Sequence, residues 1–501
     1  MQLMNLSKVV IVGGGTAGWM TAAALSQVLK PPYSIHLIES DEIGIVGVGE
    51  ATIPMIRRFN NLVGIDEQEF MRETQGTFKL GIEFVNWGRL GDRYMHGFGR
   101  IGQDLWPVGF EQYWLRMRAK GMAEPLEAYS ITRMASKANK FMPPSSEVPD
   151  SPLNDIAYAY HFDAGLYARY LRRICEARGV LRVEGKIVKV EQEDGSGHVR
   201  SLKLANGKQV DGELFIDCSG MRGVLIEQTL ETGFEDWTHW LPCDRALAVP
   251  CESVSPLLPF TRSTAHSAGW QWRIPLQHRI GNGHVYSSRY LSDDEAAATL
   301  LAHLDGRPMA EPRLIKFTTG MRKAAWSKNV VAVGLSSGFL EPLESTSIHL
   351  IQAAISKLIE FFPHKGFDPV DVAEFNRQNR FHYERIRDFI ILHYHLNQRE
   401  DSAFWRDCAQ MSSPETLQHK INLYKASGRL LRVDNELFTE VGWLQVMEGQ
   451  NLQAKDWQAL ANQQDEEETA AYLKGVASVI ASCVSAMPTH EAYIAAHCKA
   501  Q

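Results

Sequence analysis

The sequence lacks the features of a membrane-bound, secreted or nucleic-acid-binding protein. No apolar run approaches the roughly 18 residues that a membrane span needs, and the longest weakly polar stretch, 475–487, is broken by serines. The short apolar segment 9–12 runs directly into glycines and has no signal-peptide cleavage site. Lys and Arg number 52 against 59 Asp and Glu, a formal charge of −7, so no excess of positive charge is available for phosphate backbones. We therefore expect a cytoplasmic protein with neither a membrane nor a nucleic-acid partner.

The sequence also lacks the patterns of a disulfide framework or a metal site. Its seven cysteines are scattered and include no CxxC pair, so reduced, structural thiols are expected. There is no HExxH motif. His393 and His395 are two residues apart, which places them on different faces of a helix. We predict no metal ion.

What remains is the composition of a globular enzyme, with 45% apolar and 22% charged residues in 501 positions. Residues 8–40 read as strand, glycine turn, helix and strand, the pattern of a βαβ unit in a parallel sheet. Valine and leucine runs over 180–217, separated by Asp194–Gly197 and by Asn206-Gly207, predict antiparallel hairpins. A further hairpin is predicted around Gly281–Gly283.

Helices are predicted over most of 66–90 and 110–140, over 347–361 after a strand at 329–335, and from about 368 to the end. No internal repeat is visible. The expected domains are a first module, 1–365, with interleaved insertions, and a mainly helical part, 366–501, on the substrate side.

The first glycine turn has the pattern of a dinucleotide-binding site. Gly13, Gly15 and Gly18 form GxGxxG between a strand and a helix, with Thr16 and Ala17 inside the motif, and Glu39 lies 21 residues after Gly18 at the end of the next strand. The first glycine permits the turn, the second lets a pyrophosphate approach, and the third lets helix and strand pack closely. The helix N-terminus would bind phosphate, and Glu39 would accept from ribose hydroxyls. The alternative is a purely structural glycine turn.

The apolar strand at 213–217, followed by Cys218-Ser219-Gly220, resembles the second FAD-contact strand of the glutathione-reductase-like flavoproteins. The predicted fold class is therefore α/β: a glutathione-reductase-like FAD-binding fold, a Rossmann-type βαβ with antiparallel hairpins, plus a mostly helical C-terminal part. No second GxGxxG is present, so no separate NAD(P)H domain is visible. If a flavin must be reduced, another protein is expected to do it.

Five further motifs, in order along the chain, resemble those of the flavin-dependent halogenases, the tryptophan-halogenase-like family. They are Gly47–Pro54, Thr77–Ile82 with Trp87, the WxWxIP of Trp270–Pro275, Gly334–Ser347, and Leu392–Leu396 with Phe404–Arg406. WxWxIP alone could equally be an aromatic core strand.

The resemblance implies a reaction at two sites. Reduced FAD, supplied by a separate NAD(P)H-dependent flavin reductase, reacts with oxygen to give a C4a-hydroperoxide, from which chloride or bromide takes the terminal oxygen as hypohalous acid. That acid passes through a tunnel to a lysine beside a small aromatic substrate, and a carboxylate helps to remove the ring proton. A homodimer is the default oligomer.

Lys79 and Glu344 match the catalytic lysine and glutamate of the family. An ammonium in a semi-buried pocket can donate to the hypohalous oxygen or, with a lowered pKa, act as a nucleophile. The alternative for Lys79 is a surface lysine on an amphipathic helix. Glu344 could stabilise the cationic ring intermediate and accept its proton, or it could simply interact with a helix dipole.

The remaining candidates follow from the same resemblance. Thr346 and Ser347 begin a helix whose N–H groups suit a halide, although the best-known relatives have glycine at the position of Ser347. Gly334 and Leu335 are assigned to FAD. The tunnel and substrate candidates are Trp270, Trp272, Ile274, Pro275, His96 and Phe98. The two tryptophans could have a packing role only, and Phe98 could stack on an indole ring.

Two other functions remain open at this stage. A flavin aromatic monooxygenase would transfer oxygen directly, without halide, and would leave Lys79 unexplained. A flavin-binding protein without turnover would bind FAD and make no product.

The segment Glu440–Asn451 generates a prediction about the substrate. It lacks the tyrosine pair with which free-tryptophan halogenases hold the amino-acid backbone, and a zwitterion needs fixed partners for both charged ends. In parallel incubations with a flavin reductase, we expect indole to be halogenated at least as fast as free tryptophan, as measured by mass spectrometry. A strong preference for tryptophan would contradict this expectation.

Overall fold

The computed structural model describes residues 6–42, 49–364 and 366–500. The strands in chain order are β1 (Lys8–Val12), β2 (Ser34–Glu39), β3 (Gly49–Ala51), β4 (Thr77–Lys79), β5 (Gly81–Val85), β6 (Arg93–Gly97), β7 (Ala159–Asp163), β8 (Leu181–Glu184), β9 (Ile187–Gln192), β10 (Val199–Leu204), β11 (Gln209–Asp211), β12 (Leu214–Asp217), β13 (Phe234–Asp236), β14 (Arg245–Glu252), β15 (Thr261–His266), β16 (Gly269–Pro275), β17 (Arg279–Tyr286), β18 (Arg313–Lys316), β19 (Gly320–Arg322), β20 (Trp326–Ser327), β21 (Val330–Ala332) and β22 (Gly338–Phe339).

The helices in chain order are α1 (Thr16–Val28), α2 (Met55–Leu62), α3 (Glu67–Glu73), α4 (Phe110–Ala119), α5 (Ile131–Lys137), α6 (Ala164–Ala177), α7 (Asp293–Ala302), α8 (Ser347–Glu360), α9 (Pro369–His395), α10 (Ala403–Gln410), α11 (Glu415–Ser427), α12 (Glu440–Gly449), α13 (Glu466–Ala486) and α14 (His490–His497). The chain folds into two compact units. The first comprises Met1–Gly76, Phe162–His239 and Lys316–Glu384, and the second comprises Thr77–His161, Trp240–Ile315 and Arg385–Gln501.

The first unit is built on a largely parallel sheet of order β20-β21-β12-β1-β2-β8. Strand β1 lies in its middle, pairs in parallel with β2 and β12, and is buried because both sheet faces are covered. Helix α1 packs against α6 and α8. The predicted βαβ unit is confirmed, and so are the antiparallel hairpins, which form the sheet β11-β10-β9.

The second unit is built on a seven-stranded sheet of order β18-β14-β17-β16-β15-β5-β6. A separate antiparallel pair, β4 and β7, aligns Thr77 with His161 and Lys79 with Ala159. The helices predicted from about residue 368 onward are present as α9 to α14.

Two sequence predictions of local structure are wrong. Residues 66–90 contain one short helix, α3, and then the strands β4 and β5, because pairing with β7 and β15 overrides the helical pattern. Gly281–Gly283 is not a turn but lies inside β17, whose hairpin turn is at 276–278. A side chain at Gly283 would overlap the indole ring of Trp272, so the glycine makes room for that ring on the neighbouring strand.

Within the described chain one helix, α13, is long and apolar enough to cross a membrane by length and composition alone. This is weak evidence, since core helices of soluble proteins share both properties. In the second unit α13 packs against α4 and α5.

The cysteines are free, and all except the half-buried Cys483 are buried. Burial raises the pKa of the Cys175 thiol to about 12 and also raises the pKa of Cys218. These thiols are therefore protonated at neutral pH.

Two helical glycines give opposite predictions for the same substitution. A Cβ at Gly18 would overlap the carbonyl oxygen of Gly13, whereas a Cβ at Gly475 would meet nothing within 4 Å. We expect Gly18→Ala to lower the free energy of unfolding by about 2–3 kcal/mol through overpacking. We expect Gly475→Ala to raise it by about 0.5–1 kcal/mol through helix propensity. Urea denaturation measures the free energy of unfolding of both variants. Equal changes in the two variants would contradict the close approach of α1 to β1.

Candidate functional site

The glycine turn after β1 has the geometry that a dinucleotide needs. Gly13 has a φ of +113°, and a side chain there would overlap the backbone carbonyl of Cys218, which follows β12. Gly15 faces open space, since a Cβ there would meet nothing within 4 Å. Crowding at the first and third glycines therefore brings strand and helix together, and the middle glycine leaves room for a pyrophosphate.

The N-terminus of α1 supplies the positive end of a dipole beside that space. Gly15 caps the helix without a side-chain hydrogen bond, and no acidic residue lies in the first turn. The N–H groups of Thr16, Ala17 and Gly18 are the natural donors to a phosphate. Together with the open space at Gly15, these residues fit the diphosphate of FAD.

Glu39 lies at the end of β2, where its carboxylate borders the same turn. A Cβ at Gly14 would overlap this carboxylate, and Trp19 Nε1 donates to it at 3.3 Å. Arg182 on β8 and Arg172 on α6 also bind it, the latter at 3.4 Å. Sequence reasoning missed both arginines because strand pairing brings Arg182 to Glu39 and the packing of α6 brings Arg172, and sequence spacing reveals neither.

Gly334 and Leu335 follow β21 and return the chain to α1. Gly334 has a φ of +77°, and a Cβ there would lie 2.9 Å from that of Ala17 and 3.3 Å from Ile351 on α8. A larger residue would push this segment away from the N-terminus of α1. Leu335 is 40% exposed. The first unit thus brings Gly334 to the glycine turn.

Glu344, Thr346 and Ser347 form a second polar group in the first unit, at the start of α8. Glu344 and Thr346 are buried, and Ser345 between them has a φ of +58°. Thr346 precedes α8 without capping it through its side chain, and within the described ranges its Oγ1 has no hydrogen-bond partner. Buried donors at a helix N-terminus suit a small anion.

Lys79 is fully buried in the second unit, where it is the last residue of β4. Its Nζ lies 5.4 Å from the centroid of the Phe98 ring, within cation–π range. The structure therefore brings Lys79 and Phe98 together, and it places the lysine on a buried strand rather than on a surface helix.

Hydrogen bonds hold each of the first two residues of β4 in place. The Phe78 N–H donates to His490 Nε2 at 3.1 Å, and the Thr77 hydroxyl donates to the Pro275 carbonyl at 2.7 Å. The hydroxyl proton of Thr77 is thereby used, so His161 Nδ1 donates to Thr77 Oγ1 at 2.9 Å. Burial, followed by the charge of Lys79, holds the pKa of His161 well below its usual value. His161 is neutral at pH 7 and adds no second positive charge near the lysine.

Trp270, Trp272 and Ile274 alternate along the fully buried strand β16, so their side chains share one face. The two indole centroids are 6.2 Å apart, and Trp270 also lies 6.3 Å from Trp87. Pro275 ends this strand at the contact with Thr77.

His96 on β6 is buried against other aromatic rings. Its ring centroid is 5.6 Å from that of Phe389 and 6.1 Å from that of Phe438. Gly97, between His96 and Phe98, exchanges two hydrogen bonds with the Gln445 amide of α12, at 2.9 and 3.0 Å. No pattern in the sequence indicates this contact.

One motif lies only partly within the described residues. Gly47 and Val48, which begin the motif Gly47–Pro54, lie outside them. Over 6–42, 49–364 and 366–500, no group of three or more His, Cys, Asp or Glu side chains could hold a metal ion.

Comparisons with known proteins place this geometry in a family. A sequence model described as tryptophan halogenase matches residues 8–466. Tryptophan 7-halogenase RebH of Lentzea aerocolonigenes is 37% identical over 444 residues, which cover 84% of this chain and 82% of RebH.

Two solved structures are similar over nearly their whole length. Xcc4156, a flavin-dependent halogenase from Xanthomonas campestris, has a TM-score of 0.96 at 47% identity, covering 100% of this chain and 99% of its own. BrvH, a flavin-dependent halogenase from Brevundimonas sp. BAL3, has a TM-score of 0.95 at 48% identity, covering 99% and 100%. The predicted family and fold class are confirmed: the chain belongs to the tryptophan halogenase family and is a flavin-dependent halogenase.

Proposed function

We propose that this enzyme halogenates an electron-rich, indole-type ring with hypohalous acid that Lys79 holds, and that Glu344 assists removal of the ring proton. The observation that carries the proposal is the complete burial of the Lys79 ammonium, with its Nζ 5.4 Å from the centre of the Phe98 ring. A lysine is almost never fully buried unless its charge has a purpose or a partner.

The oxidant has to come from the flavin site of the first unit. The chemistry that bound reduced FAD supplies is the activation of oxygen, which oxidises the halide to hypohalous acid. Gly13, Gly15, Thr16, Ala17 and Gly18 would hold the diphosphate, Glu39 the ribose, and Gly334 and Leu335 the facing side of the cofactor. The chain shows one dinucleotide motif, so reduced FAD would come from a separate NAD(P)H-dependent reductase.

Chloride or bromide would bind at the N-terminus of α8. There the buried Thr346 hydroxyl and the Ser347 N–H can donate to an anion, and the helix dipole favours negative charge. Ser347 provides a backbone donor there whatever its side chain.

Lys79 can transfer the halogen of hypohalous acid to the ring by either of two routes. As an ammonium it donates a hydrogen bond to the oxygen, so that the ring takes the halogen and water leaves with the ring proton. As a neutral amine it forms an N–halogen bond with loss of water, and the ring then takes the halogen while the amine regains a proton. In either case a carboxylate such as Glu344 can hold the ring proton in transit.

Removal of the Lys79 amine should separate halogenation from flavin oxidation. We expect Lys79→Ala and the similarly sized Lys79→Met to lose at least about 100-fold in halogenated product, the scale of a positioned acid–base group. Both should still oxidise reduced FAD. The assay combines FAD, NADH, an unrelated flavin reductase, oxygen, indole and chloride or bromide, with detection by mass spectrometry.

The control is Lys474→Ala, because Lys474 is exposed on α13 and should have no effect. Halogenation by Lys79→Ala at the parent rate would overturn the assigned role. Hydroxylated product without halide dependence would indicate monooxygenase chemistry instead.

Gln445 generates a second prediction, because its amide fixes the backbone between His96 and Phe98. Gln445→Met leaves both polar groups of Gly97 buried without partners, at a cost of about 1–3 kcal/mol each. If Phe98 contacts the substrate, KM for indole should rise by about tenfold or more, while oxidation of reduced FAD in the absence of indole is unchanged.

Gln112 provides a matched control, since its buried amide also donates to one backbone group and accepts from another, both at 2.9 Å. Gln112→Met should lower stability to a similar extent and leave KM unchanged. Equal KM effects in the two variants would show that Gln445 has only a structural role.

A further inference from the structure

Three basic side chains of the first unit face one another between α8 and α9, and the mechanism above uses none of them. His349 lies in the first turn of α8, Lys357 lies two turns later, and His382 lies on α9. His349 and Lys357 are each only 7% exposed, and the ring centroids of the two histidines are 6.3 Å apart. We call His349, Lys357 and His382 the basic cluster.

Three ring nitrogens of the basic cluster lack hydrogen-bond partners in the part of the chain that the structure describes. Neither ring nitrogen of His349 nor Nδ1 of His382 has a hydrogen-bond partner in the described chain. His349 is buried and His382 is half-buried, yet all three of these ring nitrogens are shielded from solvent, and more than nine in ten buried polar groups are normally hydrogen-bonded. The two imidazoles thus have buried ring nitrogens that no protein group satisfies, and both lie within electrostatic range of Lys357.

The titratable groups of the basic cluster are all bases, and each lowers the pKa of its neighbours or has its own pKa lowered by burial. Burial, followed by the charges of His382 and Lys357, lowers the pKa of His349 to about 3. Burial and Lys357 lower that of His382 to about 4. Burial lowers the pKa of Lys357 to about 8, and the acidic residue that opposes this shift, Glu360, is exposed. At pH 7 Lys357 is still mainly charged, and a buried charge is costly unless it is paired.

We propose that His349, Lys357 and His382 bind a small inorganic anion, a halide ion in this enzyme, at a site separate from the N-terminus of α8. A water molecule could accept the imidazole N–H groups, but it would leave the ammonium without a counter-charge. A halide ion accepts from all three side chains and neutralises Lys357. The proposal does not depend on the role assigned to Lys79.

An anion at the basic cluster links halide binding to proton uptake. The member of the cluster that titrates near neutral pH is Lys357, whose pKa is about 8, whereas His349 and His382, with pKa values of about 3 and 4, stay neutral there and donate one N–H each. A bound anion favours the charged ammonium, so halide affinity should increase as the pH falls through about 8, whereas a site formed by backbone N–H groups alone has no group that titrates in this range.

The first test compares the melting temperature in sodium bromide and in sodium gluconate at equal ionic strength, without flavin. We expect bromide at 100 mM to raise Tm by about 2 °C or more at pH 6 and by less at pH 8. Lys357→Met should lose the pH-dependent part of this rise, His349→Phe should reduce the rise at both pH values, and Lys474→Met should retain it in full. Thr346→Val should also retain it, because its hydroxyl belongs to the other proposed halide site.

The second test locates the anion directly and does not require the variants to fold. Crystals of the unaltered chain grown in bromide should give an anomalous peak between His349 and His382. Ordered water without anomalous signal would overturn the proposal, as would a peak confined to the N-terminus of α8. A rise in Tm with phosphate but not with bromide would assign the cluster to an oxyanion and would also overturn the halide assignment.

Discussion

The fully buried side chain of Lys79 is the feature on which the proposed chemistry of the second unit depends. Its ammonium lies beside the Phe98 ring, whose face offers it a soft negative surface. Burial, followed by the charge of Lys79, keeps His161 neutral, and both of its ring nitrogens are hydrogen-bonded. The short strand β4 gains its rigidity from contacts with His490 and Pro275 rather than from its own length.

In the first unit, the site residues are positioned mainly by the close approach of backbone segments to one another. In the turn at Gly13–Gly18, strand and helix can pack closely because the glycines have no side chains. Gly334 allows a similar close approach where the chain returns to α1. Helix α8 then begins with buried polar residues and continues with the basic cluster. One helix therefore carries the groups of two proposed anion sites along its length.

Local chemistry in the sequence predicted part of this arrangement. The βαβ unit, the hairpins over 187–211 and the C-terminal helices follow from turn residues and periodicity, and five ordered motifs identified the family. Strand β4 could not be predicted, because three residues carry too little pattern and their partner strand lies about 80 positions away. Gly281–Gly283 was wrongly predicted as a turn for a related reason. A glycine that makes room for the ring of Trp272 cannot be told from a turn glycine in the sequence. The partners of Glu39 and of Gly97 depend on strand order and on a distant helix, which spacing does not reveal.

The protonated state of the interior thiols has a consequence for the durability of the catalyst. Hypohalous acid attacks sulfur much as it attacks an electron-rich ring, and the thiolate is the form that reacts. Cys175 and Cys218 are buried acids too weak to ionise, so hypohalous acid, if it is formed as proposed, would find little thiolate in the first unit. Cys483 on α13 is half-buried, so it is the cysteine that escaping oxidant would oxidise first during prolonged turnover.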